Sequence, residues 1–146
     1  MKVFASTVID RHASEVWRVV RDFIGLTAWS NVVAEATMLD GAAADQVGGR
    51  RRLVLTDGAE FVETLTMLCD STMRLGYDIS LSPLPVENYL ATMHVVPITV
   101  NDTSFVGWGA EFDCPDADAA AMRDVVGNQI CTGGLSALKA HLETNR

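Results

Sequence analysis

The chain has 146 residues, 49% apolar and 21% charged, and eleven Lys and Arg against nineteen Asp and Glu give a formal charge of -8 at pH 7. That length implies one domain, residues 1–146, large enough to fold around its own core without disulfide or metal staples. The acidic balance argues against a nucleic-acid partner, which needs a basic face, and no apolar run approaches the roughly 18 residues of a membrane span.

Asp10, Arg11 and His12 arrive too early for a secretory signal. The three cysteines, Cys69, Cys114 and Cys131, are odd in number and widely spaced. They read as free thiols in a reducing cytoplasm. No C-x-x-C occurs, and His12, His94 and His141 share no ligand spacing, so no metal is expected.

In chain order, Lys2–Ile9 alternates loosely and is rich in β-branched residues, which predicts a strand. Residues 14–22 place Val16, Val19 and Val20 at helical spacing, with Glu15 in the first turn and Phe23 just beyond. Gly25 ends this helix, and a second short helix or turn follows over residues 26–30. Six strands come next, over residues 32–39, 50–55, 60–69, 73–81, 89–97 and 103–113. The breaks between them carry turn chemistry, notably Asp40-Gly41, Gly48-Gly49, Asp57-Gly58 and Asn101-Asp102.

The last segment, residues 117–143, has a helix pattern. About 27 residues at 1.5 Å rise span roughly 40 Å, enough to cross a whole sheet. Its apolar stripe is ragged. Met122, Val126 and Ile130 share one side, whereas Cys131, Leu135, Leu138 and Leu142 share nearly the opposite one. Gly133-Gly134 stands near the changeover and permits a bend. An antiparallel sheet with one apolar face needs a cover, and only this helix is long enough. The expected fold class is therefore α+β: a curved seven-stranded antiparallel sheet around a long C-terminal helix, with two short helices after the first strand.

Alternation assigns the faces. Phe61, Glu63, Leu65, Met67 and Cys69 share the more apolar face of their strand. A three-residue loop, Thr56-Asp57-Gly58, with Gly58 in the left-handed position, sets Leu53 opposite Phe61 and Arg51 opposite Glu63. A two-residue Asp-Gly turn would pair Arg52 with Glu63 instead and segregate the apolar residues less well. Tyr77, Ile79 and Leu81 share a face, as do Tyr89, Ala91, Met93 and Val95. Trp108, Ala110 and Phe112 do the same, with Gly107, Gly109 and Glu111 outside. Glu63, Arg51, Tyr77, Tyr89 and Trp108 thus carry polar tips into an apolar space, the pattern of a small-molecule pocket.

These residues carry a resemblance to the SRPBCC (START-like) superfamily, which includes the birch-pollen-allergen-like proteins, and within it to the small bacterial polyketide cyclase/dehydrase-like members. It runs nearly end to end. It begins in Ala13-Ser14-Glu15-Val16-Trp17, Arg21-Asp22-Phe23 and Trp29. It continues in Arg51-Arg52-Leu53, Glu63-Thr64-Leu65 and Tyr77-Asp78-Ile79, and ends in Ser82-Pro83-Leu84-Pro85-Val86 and Trp108-Gly109-Ala110-Glu111-Phe112-Asp113. The resemblance implies a helix-grip fold and a ligand cavity; it is weak for chemistry, because the superfamily mixes cyclases, lyases, carriers and receptors. Two departures stand out. Ser30-Asn31 follows Trp29 where relatives often have His-Pro, and Gly109 stands where Ser is frequent.

Two readings stand side by side at each candidate residue. Glu63, tuned by Arg51, is a general acid/base or one half of a structural ion pair. Tyr77 and Tyr89 polarise a carbonyl or fill the core. Trp29 and Trp108 stack on an aromatic ligand or pack. Met93 lines the cavity or the core, and Leu84 belongs to a stiff loop that is a gate or a plain connection. Cys131 touches the cavity or is a small buried hydrophobe. The leading expectation is binding of a largely apolar, aromatic or polyketide-like molecule with cofactor-independent cyclisation, dehydration or a related proton transfer, in specialised metabolism and of lyase or isomerase type. The alternative is a non-catalytic carrier or sensor. The expected partner is that small molecule; the sequence leaves the oligomeric state open, a homodimer included.

Overall fold

The computed structural model describes residues 1–144. Its strands are β1 (Lys2–Ile9), β2 (Val33–Met38), β3 (Arg50–Leu55), β4 (Glu60–Cys69), β5 (Arg74–Asp78), β6 (Glu87–Ile98) and β7 (Thr103–Asp113). They form one antiparallel sheet in the order β1-β7-β6-β5-β4-β3-β2. Helix α1 (Ala13–Val20) follows β1, and a single 3-10 turn occupies Gly25–Ala28. The His12 ring nitrogen accepts the Ser14 N–H at 3.1 Å and so closes the first turn of α1. Val16, Trp17, Val20 and, past the helix, Phe23 enter the core.

The β3–β4 hairpin has the register expected from its loop. Arg51 faces Glu63 and Leu53 faces Phe61. Gly58 holds φ +88°, and the Leu55 N–H bonds the Ala59 carbonyl at 2.8 Å. Further along β4 the alternation breaks. Leu65 pairs with Tyr77 but Met67 pairs with Gly76, so Thr66 is an extra, unpaired residue. A bulge of this kind turns every later side chain to the other face. Met67, read from alternation as inward, is accordingly 36% exposed, and Leu68 packs against the core instead.

β5 is also shorter than its apolar run. Met73 has φ +54° and belongs to the turn. At the other end the Asp78 carboxylate takes the Thr64 N–H at 2.9 Å in place of a ladder carbonyl. The chain rejoins β4 at Val62, which bonds Ser80 and bridges to Leu81, and Leu81 is exposed rather than inward.

The terminal helix changes pitch along its length. A 3-10 turn (Asp116–Asp118) and a short α segment (Ala119–Met122) lead into a π-helical stretch, Arg123–Thr132, and then α-helix Gly133–Thr144. In the middle stretch backbone bonds reach five residues, as where the Gly133 N–H meets the Asn128 carbonyl. Asp124 staples this wide turn by accepting from both Asn128 and Gln129 at 3.0 Å. The wider pitch resolves the ragged stripe. Met122, Val126, Cys131, Leu135, Leu138 and Leu142 are all buried, spaced four, five, four, three and four residues apart. Val126 and Cys131, on opposite sides of a regular α-helix, are both at 0% exposure here. Ile130, read as part of the first stripe, is only partly buried. No helix among the described residues is long and apolar enough to cross a membrane.

The terminal helix lies chiefly over β1 and β7, while α1 packs on β6 and β7. The concave face over β3, β4 and β5 is therefore left without a helix directly on it.

Candidate functional site

That uncovered space is a cavity of about 230 Å³. Its apolar wall comes from Leu26, Trp29, Val33, Leu53, Leu55, Phe61, Trp108, Ile130 and Ala137, and its polar groups are Arg51, Glu63 and Tyr77. Ser30, Asn31, Val32 and Gln129 also line it and carry partly or fully exposed side chains, so the mouth lies between the start of β2 and the end of the π-helical stretch.

The π-helix shapes this mouth, because it decides that Gln129 and Ile130 point toward β2 while Cys131 goes to the core. Gly134 lets the helix come close. A Cβ there would stand 2.4 Å from Trp108 Cζ3, so the indole ring lies against the helix backbone. Trp29 meets Trp108 edge to face, with centroids 6.4 Å apart.

Arg51 and Glu63 form an ion pair across β3 and β4 at 4% and 5% exposure. Glu63 Oε1 accepts from Arg51 Nη2 at 2.6 Å and from Nε at 2.9 Å. Arg51 Nη1 donates to the Phe23 carbonyl at 2.6 Å. The guanidinium is held 3.9 Å from the Phe23 ring centroid and 4.9 Å from that of Tyr77. Such stacking suits a weakly hydrated planar cation.

Burial raises the Glu63 carboxyl from its ordinary value, and the Arg51 charge and hydrogen bonds only partly oppose this. Burial likewise pushes the Tyr77 phenol well up, so it stays protonated at neutral pH. Tyr77 Oη accepts a hydrogen bond from Trp108 Nε1 at 3.1 Å. Tyr77 lies within electrostatic reach of Glu63, Tyr89 and Cys131, and Tyr89 within that of Glu63 and Cys131.

Of the residues singled out from sequence, Glu63, Arg51, Tyr77, Trp29 and Trp108 meet on this cavity. Four do not line it. Tyr89 is buried behind it, stacked on Phe112 with centroids 5.5 Å apart. Met93 packs behind Trp29, Tyr77 and Trp108. The Cys131 thiol is fully buried, and its pKa is pushed up to about 12. Leu84 lies with Pro85 and Val86 in a separate shallow groove against Asp113 and Cys114, not over the mouth.

Sequence reasoning missed Ser30, Asn31, Gln129, Ile130 and Gly134 as lining residues. Ser30-Asn31 departs from the His-Pro common in relatives, and that departure falls on the mouth. Gln129 and Gly134 depend on the helix pitch and left no such mark. The Gly109 departure lies on the outer face, where a Cβ would press on the Val3 carbonyl and the Phe4 ring.

The comparisons with known proteins agree with this fold. The family model described as polyketide cyclase / dehydrase and lipid transport matches residues 1–143. The chain belongs to this family. It is thereby a member of the SRPBCC superfamily, and its fold is the helix grip. A protein from Thermobifida fusca, solved in solution, is 29% identical with a TM-score of 0.86, over 99% of this chain and 95% of that one. The di-domain ARO/CYC protein BexL is similar in fold at 20% identity and TM-score 0.81, over 100% of this chain and 48% of BexL. Norcoclaurine synthase of Thalictrum, solved with a transition-state analogue, superimposes with TM-score 0.75 at 16% identity, over 100% of this chain and 96% of the synthase. No curated protein matches the chain in sequence.

Proposed function

We propose that this polyketide cyclase/dehydrase family member takes a small, largely apolar aromatic molecule into the cavity and promotes a cofactor-independent proton transfer in it, as in a cyclisation or dehydration. The observation that carries this reading is a carboxylate at 5% exposure, with a raised pKa, on the wall of an otherwise apolar cavity. A cavity walled mainly by apolar side chains gains most from a ligand whose apolar surface covers them.

In this mechanism the cavity holds one conformer of the ligand against Trp29 and Trp108 and excludes water, which removes much of the entropy cost of reaction. Glu63 takes a proton from carbon next to a carbonyl. The Tyr77 hydroxyl donates to the carbonyl oxygen, where negative charge develops as the enolate forms. Arg51 keeps the Glu63 carboxylate aimed through bonds from Nε and Nη2. Loss of a β-hydroxyl, leaving as water with the proton returned by Glu63, completes a dehydration. The free thiols Cys69, Cys114 and Cys131 fit a reducing, cytoplasmic setting.

A carrier or sensor function is the second reading. It is favoured by the closure of Arg51 on Glu63, which occupies one carboxylate oxygen twice. Native mass spectrometry of the freshly purified protein, with extraction of any retained molecule, gives the test compound. Glu63→Gln then separates the readings. Catalysis predicts retained affinity with turnover lost by about 100-fold or more; equal behaviour of both proteins toward that compound, with no turnover in either, leaves the carrier.

A further inference from the structure

The hydrogen bond between Trp108 and Tyr77 runs in one direction only. An indole nitrogen donates and cannot accept, so the 3.1 Å contact makes Tyr77 Oη the acceptor. The phenol proton must then point elsewhere, and no described residue accepts it. Both side chains line the cavity. A hydroxyl that accepts one hydrogen bond also becomes a stronger donor in the next. The pair thus presents one directed O–H to whatever occupies the cavity.

The other polar groups limit that occupant. Arg51 has bonds from Nε, Nη1 and Nη2 to Glu63 and the Phe23 carbonyl, and a ring lies near its guanidinium on two sides. An anionic ligand here would meet the Glu63 carboxylate and find Arg51 already engaged. The volume sets the size. The cavity measures about 230 Å³, against roughly 150 Å³ for an apolar cavity that takes up benzene. One substituted ring or two fused rings fill it, and anything longer must leave through the mouth.

We infer that Trp108 is a positioning residue that turns the Tyr77 hydroxyl into a dedicated donor, so that the cavity selects a neutral aryl ketone of one or two rings. The inference rests on the cavity being the ligand site proposed above. The closing experiment keeps the two ideas apart.

The probes are 2-acetylnaphthalene, its hydrocarbon counterpart 2-isopropylnaphthalene and the anion 2-naphthoate. Binding is followed by tryptophan fluorescence, and the bound ketone by the infrared stretch of its 13C-labelled carbonyl. The wild-type protein should bind the ketone about three- to tenfold more tightly than the hydrocarbon, the yield of one buried hydrogen bond. It should bind the naphthoate more weakly than either. The carbonyl stretch should fall below its value in hexane. Tyr77→Phe should abolish both the preference and the spectral shift. Trp108→Phe should reduce the shift and lower the preference about two- to fivefold while hydrocarbon binding stays level, a signature that simple loss of packing does not produce.

Equal binding of ketone and hydrocarbon with an unshifted carbonyl overturns the inference and leaves the cavity reading standing. Tighter binding of the naphthoate overturns it too, by showing that Arg51 serves an anion. If none of the three probes binds, the cavity reading fails and the inference fails with it. The decisive infrared comparison uses the wild-type protein, so it holds even where a variant does not fold.

Discussion

The β3–β4 hairpin carries two Arg–Glu pairs on neighbouring positions and opposite faces. Arg51–Glu63 points inward, with side chains at 5% and 7% exposure; Arg52–Glu60 points outward, at 38% and 47%. Residue types and hairpin are the same, yet the surroundings make the pairs different objects. Water screens the outer pair and makes it nearly dispensable. The inner pair has left water, so its members depend on each other, on the Phe23 carbonyl and on two aromatic faces. A one-residue slip of the hairpin loop would set Arg52 opposite Glu63 and turn Arg51 outward. The loop that fixes the register thus places the cavity's chemistry.

The largest way to break this contrast is to remove one inner partner. Arg51→Ala should destabilise the fold by about 3–5 kcal/mol, because Glu63 is left buried and unpaired. Arg52→Ala should cost at most about 1 kcal/mol. Urea denaturation of both variants measures the difference, and similar losses would erase the distinction.

Next in size is the packing that closes the cavity beside the inner pair. Gly134→Ala drives a methyl into Trp108 and should cost about 1–3 kcal/mol. At Gly133 the nearest atom to a Cβ is the Asn128 carbonyl oxygen at 3.5 Å, an ordinary contact. Gly133→Ala should therefore be neutral or stabilising, by up to about 1 kcal/mol. Thermal melts of the two neighbours test whether the helix touches the indole at Gly134.

The pH dependence sharpens the inner pair further. Burial raises the Glu63 carboxyl in the folded protein above its unfolded value. Between those two values the folded state holds more protons, so stability falls as pH rises through the window. Subtracting a Glu63→Gln melting curve from the wild type should leave a difference that declines with rising pH above the ordinary carboxylate range. A difference that grows instead would mean that Arg51 outweighs burial.

The smallest effect concerns two thiols in the same inside-and-outside relation. Hydrogen bonds from Ser71 and Thr72 lower the exposed-side Cys69 to about 7, while burial lifts Cys131 to about 12. Iodoacetamide should label Cys69 with a half-maximal rate near pH 7, leave Cys131 untouched in the folded protein, and hardly alter stability. Mass spectrometry of the digested product reads both sites.

Much of this was legible before any coordinates. β1, β3, β4 and β7 have the bounds their alternation and turns implied, because period-2 burial and Gly or Asp-Gly punctuation are local signals. The Arg51–Glu63 pairing followed from one loop, since a hairpin register is a local matter too. Met67 and Leu81 went to the wrong face. One bulged residue, Thr66, and one side chain standing in for a backbone acceptor, Asp78, reset the alternation without any mark in the apolar pattern.

Sequence by itself determined the strands, most of their inward side chains and the identity of the buried charged pair, because alternation and hairpin register rest on near neighbours in the chain; the pairing of β1 with β7 does not. The tertiary structure alone decided the pitch of the terminal helix. With it came the mouth at Gln129 and Gly134, the placing of Cys131, Tyr89, Met93 and Leu84 away from the cavity, and the bond from Trp108 to Tyr77. Those depend on how a helix near residue 130 settles against strands far away in sequence. A stripe of apolar residues shows that a helix is buried, but only the packed sheet selects which of two pitches buries it.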